Sequence, residues 1–129
     1  MGRATQLQAQ ESRARIVASA NRLFRMHGVD QVSVSELMQE CGLTVGGFYK
    51  HFPSKADLLA EAAACGFAQS AAKAEGVDAA AFLTHYLSRE HRDSRGDGCT
   101  MAALSSDAAR QPEAIKAAFA TGIESLLTT

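Results

Sequence analysis

The sequence predicts an all-α fold: a three-helix bundle with a helix-turn-helix at its centre, followed by a further group of helices. Three observations predict it. Apolar residues recur at helical spacing in one segment after another. Three helix starts crowd into residues 33–57, and Gly28, Gly42, Gly76 and Pro112 fall where the periodic runs stop.

Residues 1–10 are small and polar and are expected to form a disordered tail. From Glu11 to His27, Ile16, Val17, Ala20, Leu23 and Phe24 repeat at i, i+1, i+4, i+7 and i+8, which makes one buried helical face. Arg13, Arg15, Arg22 and Arg25 belong to the other faces and are expected in solvent. Gly28 closes this helix. Ser33 with Glu36 spells a capping box for a helix over about 34–41, with Leu37 and Met38 turned towards the first helix. Cys41-Gly42-Leu43 is a very short connection, in which Gly42 can take the left-handed conformation that turns the chain at once.

Thr44 is a good cap for a third helix over about 45–51. Two short helices joined by so short a glycine-bearing turn make a helix-turn-helix, whose second helix enters a DNA major groove. On a helical wheel Val45, Phe48 and Phe52 share the side that must be core, and Gly46, Gly47 and Lys50 lie opposite. Two glycines in so short a helix cost roughly 1 kcal/mol each relative to alanine. Close approach of the backbone to another surface is the natural offset. Ser54 with Asp57 starts a fourth helix, and Lys55 becomes its first residue, where a cation opposes the helix dipole. A phosphate in front of it would reverse that sign.

The fourth helix runs from Lys55 to about Ala74 with Leu58, Leu59, Ala62, Ala63 and Phe67 apolar. After Gly76-Val77-Asp78, residues 79–88 read as a helix with Phe82, Leu83, Tyr86 and Leu87 inward. Residues 89–98, charged and glycine-bearing, are expected as an exposed loop. Helix resumes over 99–110 with Met101, Ala102, Leu104 and Ala108 apolar. Pro112 then starts a last helix carrying Ile115, Ala118, Phe119, Ile123, Leu126 and Leu127.

The formal net charge of the 129 residues is −1, so the chain as a whole is not a basic nucleic-acid binder. Its halves differ. Residues 1–57 hold seven Lys/Arg against five Asp/Glu, net +2, and residues 58–129 are net −3. Three widely spaced cysteines, Cys41, Cys65 and Cys99, suggest neither a disulfide framework nor a metal site, as in a reducing cytosol. Cys99 with His85 or His91 lacks an oxyanion motif or a third orienting residue, so no catalytic residues are assigned and Cys99 is expected as a buried structural thiol. With no apolar leader and no run near 20 apolar residues, the expectation is a soluble protein of the cytoplasm without a membrane partner.

The ungapped run Gly42-Leu43-Thr44-Val45-Gly46-Gly47-Phe48-Tyr49-Lys50-His51-Phe52-Pro53-Ser54-Lys55, with Leu58-Leu59, resembles the signature of the tetracycline-repressor (TetR) family of bacterial transcriptional regulators. Met38 and Cys41 depart from it where alanines are commoner. A looser resemblance, to one branch of such regulators, lies in Gly96-Asp97-Gly98-Cys99-Thr100-Met101-Ala102-Ala103-Leu104. The first resemblance implies a DNA-binding domain over 1–57 and a partial ligand and dimerisation domain over 58–129 that lacks the usual C-terminal helices. Phe119, Ile123 and Leu126 would then lose their covering and expose an apolar patch.

The resemblance also implies a nucleoid-associated repressor relieved by a small, mostly apolar effector, with a palindromic double-stranded operator and a homodimer as partners. No cofactor or metal is implied. Its DNA contacts map onto Ser33, Thr44, Val45, Gly46, Gly47, Tyr49, Lys50, His51 and Lys55. Lys50 reads base edges, and Thr44, Tyr49, His51 and Lys55 mainly hold phosphates. The effector pocket maps onto Phe67, Phe82, Tyr86, Met101, Leu104 and Phe119. The alternative is a truncated partner that pairs with a full-length regulator and lacks its own effector response.

Overall fold

The computed structural model describes residues 3–128, with side-chain surroundings given from residue 5 onwards. In chain order the α-helices are α1 (Arg3–His27), α2 (Val34–Glu40), α3 (Val45–His51), α4 (Lys55–Ala74), α5 (Ala79–Tyr86), α6 (Arg89–Asp93), α7 (Thr100–Ala108) and α8 (Glu113–Leu127), with a 3₁₀ turn at Arg95–Asp97. No strand occurs among the described residues. The all-α expectation holds, with two corrections. The expected N-terminal tail is helical from Arg3, and the expected loop 89–98 contains α6 and the 3₁₀ turn. Ser88 supplies the reason for the second: its Oγ accepts from the His91 amide at 3.1 Å and caps α6 despite the surrounding charge.

Helices α2, α3 and α4 start where they do because their ends are chemically specified. Ser33 Oγ accepts from Glu36 N at 3.0 Å, and Thr44 Oγ1 from Gly47 N at 3.3 Å. Ser54 both accepts from Asp57 N at 3.2 Å and donates to the Asp57 carboxylate at 2.8 Å. Between α2 and α3, Gly42 sits at φ 71°. Leu43 N donates to Met38 O at 2.8 Å and Gly42 N to Gln39 O at 3.0 Å, which is the Schellman closure. The turn is tight because glycine alone enters this conformation without a side-chain penalty.

One apolar core runs through the chain. Ile16, Ala20 and Phe24 of α1 meet Leu37 and Met38 of α2, Phe48 and Phe52 of the third helix, and Leu58 and Leu59 of α4, all buried. The same core continues through Ala62, Ala63 and Phe67 to Leu104, Ile115 and Phe119. Phe67 meets Phe119 edge-on, with ring centroids 5.6 Å apart. Phe119 is therefore covered from within, and Ile123 and Leu126 are half-buried, which corrects the expectation that all three would lie open.

The arginines of α1 are not spectators in solvent. Arg13 pairs with Glu61 and lies over the Phe52 ring, 4.5 Å from its centroid. The Glu61 carboxylate raises the Arg13 pKa above its usual value. Arg15 donates to Cys41 O at 3.2 Å, and Arg22 pairs with Glu40 at 2.7 Å. Arg25 is buried, a correction to its expected exposure. Its Nη1 donates to Gly98 O at 3.1 Å, while Nε has no hydrogen-bond partner among the described residues. Burial pushes its pKa down, opposed by the nearby Asp97 carboxylate.

Candidate nucleic-acid interface and cavity

The third helix shows a buried and an open side. Phe48 and Phe52 are fully buried, with ring centroids 5.6 Å apart. On the opposite side Gly46, Tyr49 and Lys50 are exposed, and Tyr49 stands edge-on against Phe48 at 5.0 Å. Val45 is 45% exposed, which corrects its expected place in the core. It is the first residue of α3, and a helical side chain leans back towards the N-terminus. Beyond that end there is only the extended Thr44 cap, so Val45 has no preceding turn to pack on. Ser33 and Thr44 are exposed, and Gly47, His51 and Lys55 are half-exposed.

The exposed residues of the third helix run along its axis. Val45 and Tyr49 form one i, i+4 pair along it, and Gly46 and Lys50 the next. Nothing lies within 4 Å of where a Gly46 Cβ would stand, and at Gly47 the nearest atoms are at ordinary contact distance. The protein's own packing therefore does not call for glycine at 46. Among the described residues neither Lys50 nor Lys55 has an ion-pair partner, whereas Arg13 and Arg22 in the same head are paired. Lys50 thus stands without an ion pair one helical turn from the open Gly46.

A second feature lies at the far end of α4. A cavity of about 790 Å³ opens between the C-terminal part of α4, α5, the 97–99 segment and α7. Of the residues expected to line a pocket, Phe82, Tyr86 and Met101 do. Phe67, Leu104 and Phe119 do not: they are core, packed between α4, α7 and α8. No residue of α5 is buried, and Leu83 and Leu87 are 52% and 77% exposed, so its apolar face is not inward as expected. Met101 and Ala102 also turn outward, leaving Leu104 and Ala108 as the buried side of α7.

Sequence reasoning missed the polar members of this wall. His85, His91, Cys99, Lys73 and Asp97 line it. Cys99 is half-exposed rather than buried. Its thiol, together with partial burial, pushes the Tyr86 phenol above its usual pKa. The signal available was the run of rings at 82, 85, 86 and 91, the first three at helical spacing. No group of three or more His, Cys, Asp or Glu among the described residues is arranged to hold a metal ion. No helix among them is long and apolar enough to cross a membrane.

The fold and its exposed third helix define a helix-turn-helix protein with a helical body. Comparison with known proteins makes this specific. Residues 16–62 match the family described as bacterial regulatory proteins, tetR family. Over this unit the chain is similar to the tetR family of bacterial regulatory proteins. It is 43% identical over 61 residues to the HTH-type transcriptional regulator AcrR of Shigella flexneri, covering 47% of this chain and 28% of that one. With the HTH-type transcriptional regulator TtgR of Pseudomonas putida it shares 39% over 59 residues, again 28% of the relative's length. The chain thus matches little more than a quarter of either. The crystal structure of reduced E. coli NemR superposes on 92% of this chain and 66% of its own at a TM-score of 0.67, with 20% identity. That similarity establishes the all-α fold of the body as well as the head.

Proposed function

We propose that this chain is a sequence-specific DNA-binding transcriptional regulator, and that it represses until a small molecule enters the cavity. Residues 1–57 read the DNA and residues 58–129 respond. The observation that carries the reading is the edge of α3: an unpaired, exposed Lys50 beside a Gly46 that no internal contact explains. A bare backbone with a long cation next to it suits a groove, where lysine favours guanine O6 and N7. Ser33, Thr44, Tyr49, His51 and Lys55 then set register on phosphates, and Val45 and Tyr49 are free to touch a thymine methyl. The names of the relatives, both HTH-type transcriptional regulators, support the class.

The test is selection of bound sequences from random DNA, followed by two variants. Lys50→Ala should relax preference at one base position, costing about 1–3 kcal/mol against the selected site. Lys55→Ala should weaken every sequence alike and flatten the salt slope by about one unit. A Lys50→Ala protein that selects the same consensus as the parent would remove the central claim.

The segment 95–99 offers a route from cavity to head. Asp97, Gly98 and Cys99 line the cavity, while Gly98 O holds the buried Arg25 of α1. A Cβ on Gly96 would stand 2.8 Å from Arg22 and 3.1 Å from Met26, so this turn lies flat on α1. A ligand that displaced it would disturb the helix that braces α2 and α3. Palindromic operators would call for a two-fold pair of chains. A second reading, a chain that pairs with a longer regulator and binds no DNA alone, draws on the exposed Leu83, Leu87 and Leu127. Solution mass with and without selected DNA separates the two.

A further inference from the structure

We propose that the cavity takes a flat aromatic ring bearing one negative charge, an aryl carboxylate, and that Lys73 selects the charge. As a statement about the effector this rests on the regulator reading above. The ring preference comes from the wall. Phe82 and Tyr86 stack one helical turn apart, with centroids 5.6 Å apart and planes at 24°. His91 continues the row 4.6 Å from Tyr86, and His85 stands 5.5 Å from His91. One ring of the row, His91, is held in place before any ligand arrives. His91 N is fixed on the Ser88 cap, and its Nδ1 lies 2.8 Å from the Tyr86 carbonyl oxygen. A carbonyl only accepts, so Nδ1 carries the hydrogen and the imidazole plane is set. A pre-set ring face favours a planar partner, because little of its side-chain freedom remains to be lost on binding.

The charge preference comes from what is balanced and what is not. Lys73 and Asp97 are the fully charged side chains of the lining. Asp97 adjoins Gly98, whose carbonyl oxygen accepts from the buried Arg25 guanidinium, and that cation is close enough to offset the Asp97 charge without a direct ion pair. Lys73, at the last turn of α4, has no ion-pair or hydrogen-bond partner among them. The cavity therefore presents one positive charge without a counter-charge, beside an aromatic wall. A volume of about 790 Å³ accommodates a two-ring acid.

Three naphthalene probes of one shape test this on the full chain: 2-naphthoate, 2-naphthalenemethanol and 2-naphthylmethylammonium. The protein has no tryptophan, so naphthyl emission reports binding directly. The acid should bind one per chain and at least tenfold tighter than the alcohol, with the ammonium weakest. Lys73→Gln should bring acid and alcohol within about twofold, chiefly by weakening the acid. Lys73 is exposed, so this variant tests the site and not the fold. Equal binding of acid and alcohol, an undiminished preference in Lys73→Gln, or tightest binding of the ammonium would each overturn the proposal. Binding of naphthoate with the predicted Lys73 dependence but no change in DNA affinity would leave the site standing and remove the effector role.

Discussion

Phe48→Ala is expected to cost about 3–5 kcal/mol of stability and, with it, all sequence-selective DNA binding. Phe48 has no exposed surface and lies with its ring 5.6 Å from Phe52 and 5.0 Å from Tyr49. Truncation leaves a cavity under a helix of seven residues, two of them glycine. Such a helix has no stability of its own, since isolated helices below about 12–15 residues are marginal even in favourable sequences. Its shape is borrowed from Phe48 and Phe52, and a domain with about 5–15 kcal/mol in total cannot lose so much locally and keep the helix docked. Urea unfolding followed by circular dichroism measures the loss. Lys50→Ala is the control, because Lys50 is exposed and unpaired and should leave the midpoint unchanged. A loss below 1 kcal/mol for Phe48→Ala would mean that α3 is held by something other than its buried rings.

The head was legible in the sequence because its determinants are local. Ser33, Thr44 and Ser54 each cap the helix that follows within three residues, and Gly42 turns where a left-handed residue is needed. Val45 was misplaced because a wheel assigns directions but not ends, and the first residue of a helix has no turn behind it. The body was harder because its determinants are distant. Arg25 is buried by a carbonyl 73 residues away, which no periodicity within α1 announces. An eight-residue segment such as α5 has an apolar face in any sequence reading, yet whether that face meets a core or an opening depends on neighbours. Phe67 and Phe82 illustrate the difference. They are the same residue type at comparable helical positions, but Phe67 is locked against Phe119 while Phe82 borders the cavity. Composition is also silent about α1: its first turns carry polar residues that can form helix without burying anything.

The joint between α4 and α8 supplies the second large effect. Gly122→Ala is expected to destabilise the body by about 1–3 kcal/mol, although alanine is the better helix former. Two terms oppose each other. Replacing a mid-helix glycine by alanine gains about 1 kcal/mol in propensity. Against it, the new Cβ would stand 2.3 Å from Phe67 Cδ2, 2.6 Å from Cγ and 2.7 Å from Cε2, where apolar carbons keep about 3.5–4.0 Å. Three atoms of one ring are involved, including the one attached to its Cβ, so no rotation of a flexible tip relieves the overlap. The ring is also held edge-on by Phe119 of α8 itself. Either α8 moves away by about 1 Å, or Phe67 leaves its place between the helices. The steric term therefore exceeds the propensity gain. Amide exchange should show the loss within Glu113–Leu127 and the adjoining half of α4, while protection over Val34–His51 holds, because Phe48 and Leu58 lie elsewhere in the core. A raised melting temperature for Gly122→Ala would show that the two helices yield freely at this crossing, and that the close approach of α8 to Phe67 contributes nothing to holding the body together.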